Sequence, residues 1–224
     1  MVTAPGFYNN NGPYMTTSNC LMPIYPDMRT CFTDPKRLKK ISSEMAKLIN
    51  SKHLKCNLII GGATAGIPLG LKVAEILNKP FCYVRKDKKP GGMSKAVEGY
   101  FKKGQTAILI DDAAAHGASK SKFVKNIREA GLVIKDVVVM LTRNYNNKDD
   151  QAWIKKSKVK LHDFGDLNEL QTYAYKHGII SKEAKQLLYW YFENPHNWQK
   201  DKTKWLYFLN YLKNRKNIKS QSGV

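Results

Sequence analysis

The chain is predicted to be an α/β protein with a central, mostly parallel sheet flanked by helices, and three observations carry that prediction. Apolar runs at Leu58–Ile60, Phe81–Val84, Ala107–Ile110 and Asp136–Leu141 lack the alternation of a one-sided sheet, as strands buried on both faces do. Segments with helical periodicity and start or stop signals alternate with these runs. Two of the runs lead straight into small-residue turns, Gly61–Gly66 and Asp111–Ala118. In an open α/β sheet the carboxyl ends of the strands are where ligands bind.

The first 30 residues are rich in Asn, Thr, Pro and Tyr without a sustained period, and read as loops and short extended pieces. Thr33-Asp34-Pro35 supplies a capping residue and a first-turn proline for a helix. Leu38, Ile41, Met45, Leu48 and Ile49 form its apolar face, with Lys36, Lys39, Lys40 and Lys47 opposite. After the strand Leu58–Ile60 a helix begins near Ile67-Pro68 and ends at Asn78-Lys79-Pro80, with Leu71, Ala74 and Leu77 on its apolar face. Residues 86–104 carry many lysines, Pro90-Gly91-Gly92 and no apolar stripe, which reads as a long binding loop or lid. A helix over Ser119–Ala130 closes at Gly131 before the strand Asp136–Leu141. From Leu167 the pattern turns helical: Asn168–His177, then a helix that Ser181 caps through Trp190, then Lys204–Asn217 with Trp205, Phe208, Leu209 and Leu212 on one face. The expected organisation is a core over residues 1–165, a C-terminal helical extension over 166–215 and a polar, basic tail over 216–224.

At 224 residues the chain is long enough to bury a real core, and a hydrophobic fraction of 42% describes an ordinary globular protein. No apolar run approaches membrane-spanning length. The start, MVTAPGFYNNNGPY, lacks the basic segment and apolar centre of a secretory signal, so a cytoplasmic protein is expected. Cys20, Cys31, Cys56 and Cys82 are too widely spread for a zinc pattern and read as small apolar fillers. His53, His162, His177 and His196 show no ligand spacing and read as structural.

The net charge of +20 raises nucleic-acid binding as a possibility. The cations are dispersed and overwhelmingly lysine, with arginine only at positions 29, 37, 85, 128, 143 and 215. Arginine is favoured where phosphate or base edges are read by a bidentate fork, so solvated helix faces and an anionic small-molecule substrate account better for the charge. The aromatic, basic segment Trp198–Asn217 is where a nucleic-acid site would be sought. An amphipathic helix packed on its own domain is the favoured reading of it.

The most informative stretch is Ala107–Ser119, AILIDDAAAHGAS. It places Asp111 and Asp112 at the carboxyl end of a buried strand, with small residues Ala113–Ala118 that let a ligand approach the backbone. The helix opening at Gly117–Ser119 would aim free N–H groups at an anion.

This stretch resembles the phosphoribosyl-pyrophosphate (PRPP) signature of type I phosphoribosyltransferases, and the likeness extends beyond it. Met22-Pro23-Ile24-Tyr25-Pro26-Asp27-Met28-Arg29 is similar to the SPIYxDxR segment of orotate phosphoribosyltransferases, and Gly61–Pro68 to their GTATAGIP loop. Tyr83-Val84-Arg85-Lys86 with Glu98-Gly99 resembles the ends of their catalytic loop. Thr142-Arg143 stands where the family carries Asp-Arg, and Glu193–Trp198 resembles the closing turn of some members. The likeness spans residues 14–198, and the ordered set is far more specific than any one motif.

The resemblance implies a type I phosphoribosyltransferase fold with an N-terminal hood segment and a C-terminal helical extension. It implies transfer of a phosphoribosyl group from PRPP to orotate, dependent on Mg²⁺ held mainly through PRPP, with Asp111 and Asp112 as further candidates. On this reading Asp111 and Asp112 contact the ribose hydroxyls. Ala113, Ala114, Ala115, His116, Gly117, Ala118 and Ser119 cradle the 5′-phosphate. Gly61, Gly62, Ala63 and Thr64 take the pyrophosphate, with Arg85 and Lys86 as its cations. Lys89 is the lid lysine that reaches into a neighbouring subunit, which implies a homodimer with shared sites. Arg143 holds the orotate carboxylate, and Tyr25 walls the base site or simply packs.

The chain departs from the pattern at Gly91, where a loop histidine is usual, at Ala115-His116, where threonines are usual, at Thr17, where many members have lysine, and at Thr142, which replaces an aspartate. His116 either touches the phosphate or fills space at the helix start. These departures and the charge motivate an alternative reading, a divergent homologue with weak or no activity that uses another base, binds nucleic acid or senses PRPP.

Overall fold

The computed structural model describes residues 1–16, 19–87, 95–114, 117–142 and 148–221, as backbone only at 118, 148–150 and 216–221. Four two-residue strands open the chain: β1 (Tyr8–Asn9), β2 (Tyr14–Met15), β3 (Leu21–Met22) and β4 (Tyr25–Pro26). They pair antiparallel, β1 with β4 and β2 with β3. Next come α1 (Pro35–Ser51), β5 (Leu58–Gly62), α2 (Gly66–Ile76), β6 (Phe81–Val84), β7 (Val97–Glu98), β8 (Thr106–Ala114), α3 (Ala118–Glu129), β9 (Val133–Thr142), α4 (Lys148–Ser157) and β10 (Lys160–His162). Three helices follow, α5 (Leu167–Lys176), α6 (Lys182–Glu193) and α7 (Lys202–Gln221).

The chain divides into two compact units, Cys31–Leu167 and Met1–Thr30 with Asn168–Val224. The N-terminal segment, grouped with the core in the sequence reading, thus clusters with the C-terminal helices. Residues 216–221, read as tail, continue α7.

The Cys31–Leu167 unit holds a six-stranded sheet in the order β10-β9-β8-β5-β6-β7. All neighbours are parallel except β7, which turns back against β6. Leu58, Ile60, Leu109, Val137 and Val139 pack with Phe123, Val124 and Ile127 of α3 and Trp153 of α4. The alternate residues Ile59, Ile108, Ile110, Val138 and Met140 are equally buried on the face that α1 and α2 cover. Helices on both faces explain why these strands read as continuous apolar runs. Each such side chain removed from water contributes about 1.5–3 kcal/mol before conformational entropy is set against it.

Local signals account for the helix starts. Asp34 accepts N–H bonds from Lys36 and Arg37 at 2.9 and 3.4 Å, with Pro35 in the first turn, and α1 buries Ile41, Met45 and Ile49. Three elements were absent from the sequence reading. The edge strands β7, inside the stretch read as a loop, and β10 are two and three residues long, and α4 offers Trp153 and Ile154 but no repeating apolar stripe. His162 is structural, buried with its Nε2 2.8 Å from Asp136 Oδ1. Cys20, Cys31 and Cys82 are buried thiols and fill space.

In the other unit Ser181 caps α6 through the Ala184 N–H, and Leu187, Leu188, Tyr191 and Phe192 are buried. Trp198 is 1% exposed, donates from Nε1 to Leu21 O at 2.6 Å, and packs on Trp205 and Phe208. Trp198 and Phe208 are therefore core, and a base could not stack on them. Among the described residues no helix is long and apolar enough to cross a membrane.

Candidate active site

The crevice is built where β5 and β8 end side by side. Their register pairs Gly61 with Ile110, so the Gly61–Gly66 turn and the Asp111-Asp112 pair emerge together at the carboxyl edge of the sheet. Both acids still belong to β8, which runs four residues past the strand expected from sequence.

The glycines are dictated by close approach. A Cβ on Gly66 would run into the Ile110 carbonyl and come within 3.1 Å of Asp111 Oδ1. A Cβ on Gly62 would lie 2.7 Å from Phe123 Cε2 and 3.2 Å from Asp111 Oδ2. The turn is thus pressed against the first acid, with Thr64 exposed at its tip. Gly117, just ahead of α3, has φ +68° and faces Trp153 where any Cβ would collide, so a side chain is excluded there twice over.

The two acids are not equivalent. Asp111 is 5% exposed, accepts the Asp112 N–H at Oδ1 (3.0 Å), and meets Lys120 Nζ at Oδ2 (2.8 Å). Burial, its largest influence, pushes the carboxyl up to about 6, against the pull of Lys120. Burial opposes the Lys120 charge too, but Asp111 and Asp112 outweigh it and hold the ammonium above the ordinary lysine range. Asp112 is half-buried, and its Oδ1 accepts the Ala113 N–H at 2.7 Å.

Arg85 follows β6, which pairs with β5 as far as Gly62 and Val84. Its Nη2 donates to Tyr83 Oη at 3.1 Å and its Nε lies 3.7 Å from Glu98 Oε1. The guanidinium also lies over the Tyr83 ring, 5.3 Å from its centroid. Lys86 is exposed. Asn126 of α3 donates to both backbone carbonyls here, Arg85 O at 2.8 Å and Lys86 O at 3.1 Å.

Of the sequence candidates, Gly61, Gly62, Ala63, Thr64, Asp111, Asp112, Ala113 and Ala114 come together at this edge, and Gly117 and Ser119 open α3 beyond it. Tyr25 belongs to the other unit, on β4, with its ring 5.9 Å from that of Tyr14. Lys89, Gly91, Ala115, His116 and Arg143, together with Thr17 and the side chain of Ala118, lie outside the described residues. Lys120 and Asn126 were missed. Lys120 did leave a signal: it lies three, four and seven residues before Phe123, Val124 and Ile127, on the buried stripe of α3.

A divalent cation can be tested against these donors. Among the described residues no three acidic, His or Cys side chains converge as a metal cage. Both Asp111 oxygens are already engaged, leaving Asp112 as the one acid of the pair with an oxygen to offer. That set fits Mg²⁺ held chiefly by substrate oxygens and water, its usual mode with phosphates.

Residues 30–168 match the family described as phosphoribosyl transferase domain. The chain is similar to the orotate phosphoribosyltransferase of Cytophaga hutchinsonii, 30% identical over 188 residues that span 84% of this chain and 89% of the relative. It is also similar to the crystal structure of orotate phosphoribosyltransferase from Aeropyrum pernix, with a TM-score of 0.63 and 25% identity, covering 76% of this chain and 93% of that one. The structure of Leishmania donovani UMP synthase shares the fold, with a TM-score of 0.72 and 24% identity over 84% of this chain, which spans 39% of that longer chain.

Proposed function

The chain belongs to the phosphoribosyltransferase family, and on that premise we propose that it transfers the phosphoribosyl group of PRPP to orotate, yielding orotidine 5′-monophosphate and pyrophosphate. One observation carries the reading. The Gly61–Gly66 turn and the Asp111-Asp112 pair share one crevice, in a chain similar over most of its length to an orotate phosphoribosyltransferase.

The bond from the ribose anomeric carbon to pyrophosphate breaks as a bond from that carbon to the orotate ring nitrogen forms. Positive charge grows on the sugar and negative charge on the leaving group, so the site must hold both ends of PRPP still. Asp112 accepts hydrogen bonds from the ribose hydroxyls and places a negative charge beside the developing cation. Backbone N–H groups at the start of α3, over Gly117–Ser119, hold the 5′-phosphate without the threonine hydroxyls usual in that loop. The turn Gly61–Thr64 holds the pyrophosphate, with Arg85 and Lys86 as neighbouring cations. When bound, Mg²⁺, to which Asp112 contributes, neutralises charge on the pyrophosphate oxygens. Orotate reacts as an anion after its ring N–H proton leaves to solvent, so the base site needs a cation rather than a strong base, and Arg143 serves. Lys89 closes the site from a partner subunit in a homodimer. The reaction is placed in the cytoplasm.

A divergent homologue that works on another base, binds nucleic acid or senses PRPP is not favoured by these relatives. In the aromatic, basic segment where a nucleic-acid site would be sought, Trp198 and Phe208 are buried.

The test mixes purified protein with PRPP, Mg²⁺ and orotate and follows the loss of orotate absorbance, with a panel of other nucleobases alongside. Turnover with orotate above every other base is expected. No turnover, together with no PRPP binding by calorimetry, would end this reading.

A further inference from the structure

Lys120 stands where ordinary helix energetics would not put a lysine. It is 8% exposed and lies in the first turn of α3, the positive end of the helix dipole, where a cation is disfavoured. Burying an ion pair is also a poor route to stability, because desolvation cancels most of the attraction and well-packed apolar side chains do as well. Neither the helix nor the core explains this residue.

Its partner suggests what does. Asp111 Oδ2 meets Lys120 Nζ at 2.8 Å, Asp111 Oδ1 takes the Asp112 N–H, and the same carboxylate touches the space where Gly62 and Gly66 lack side chains. One carboxylate therefore bonds the end of β8 and, through Lys120, the first turn of α3, and lies close beside the turn after β5. The turn and the α3 start are the two anion-binding pieces of the crevice.

We propose that Lys120 is a positioning residue for the PRPP site: through its ion pair with Asp111 it locks the Gly61–Gly66 turn and the start of α3 into one anion-binding frame. The buried ammonium also adds a fixed positive charge in the first turn of α3, where Ala118 supplies no hydroxyl donor. Asp111 is thereby a structural counter-ion, and Asp112 is left as the acid that meets substrate. This inference rests on the PRPP-binding reading of the crevice, though not on the identity of the base.

Lys120→Met would strand the Asp111 charge in a dry site, so Lys120→Gln, which keeps an N–H donor without the charge on a side chain one bond shorter, is the principal variant, with Lys120→Arg as rescue. For each, the PRPP dissociation constant is measured by calorimetry with Mg²⁺, KM and kcat by the orotate assay, and Tm by thermal melt. Lys120→Gln is expected to raise Kd and KM for PRPP about tenfold, leaving kcat and the orotate KM within about threefold. Lys120→Arg is expected to return PRPP binding to within about threefold of the parent. A lowered Tm with unchanged PRPP affinity in Lys120→Gln overturns the proposal, and so does an arginine variant as weak as the glutamine one. If the parent binds PRPP but does not consume orotate, the base assignment fails while the calorimetric comparison still decides this one. A parent that binds no PRPP overturns both.

Discussion

Asn126 donates through Nδ2 to the carbonyl oxygens of Arg85 and Lys86, at 2.8 and 3.1 Å, and so ties the middle of α3 to the backbone that leads out of β6. The same helix carries Lys120 toward Asp111. One helix thus holds both the backbone that carries Arg85 and Lys86 and the buried acid of the Asp111-Asp112 pair.

Asn126→Ala frees the part-buried Arg85 carbonyl and the exposed Lys86 carbonyl, and loosens both residues. We expect kcat/KM for PRPP to fall about 3–10-fold, with stability lowered by about 1–2 kcal/mol. Steady-state kinetics read beside urea denaturation check both. A loss confined to stability would mean that the root of the segment is positioned without Asn126.

Asp112→Asn keeps the shape of the half-buried side chain and its bond from the Ala113 N–H, but removes the negative charge. If this charge stabilises the developing sugar cation, kcat drops by about 100-fold or more with Tm nearly unchanged. Single-turnover kinetics measure it. A fall in Tm with little change in kcat would assign Asp112 a structural role.

Gly117→Ala meets two penalties at once, a left-handed backbone at φ +68° and a collision with the Trp153 ring. The combined cost is about 2–5 kcal/mol. Chemical denaturation should show it as a lower midpoint at unchanged slope. A variant as stable as the parent would show that α4 moves aside freely.

Chelation of divalent ions with EDTA should abolish turnover and leave Tm unchanged. Among the described residues no cage of acidic side chains draws on metal to fold, and on the proposed function the cation is carried in with substrate oxygens. Activity should return on adding Mg²⁺. A Tm that fell on chelation would reveal a resident structural metal.

Much of the architecture was legible because it depends on neighbours in sequence. Runs such as Ile108–Ile110 declare a strand covered on both faces, Asp34-Pro35 declares a helix start, and Ser181 declares another. The Gly61–Gly66 turn and the Asp111-Asp112 pair were readable for the same reason, since each follows directly on an apolar strand. Elements with weak local signals escaped: β10 is short, and α4 lacks a stripe.

By itself the sequence determined the α/β class, the alternation of strands and helices, and the two small-residue turns that follow strands, since hydrophobic period and capping act within about one helical turn. Only the tertiary structure decided how those pieces meet. It divided the work of the two adjacent acids by burying one against Lys120, bound Asn126 to a backbone 40 residues away, and joined Trp198 to Leu21 across 177 residues. Such contacts depend on which elements the sheet order brings together, and no local pattern encodes that order. The crevice was foreseeable from its two turns, but the frame that holds them rests on a lysine whose partner only the fold reveals.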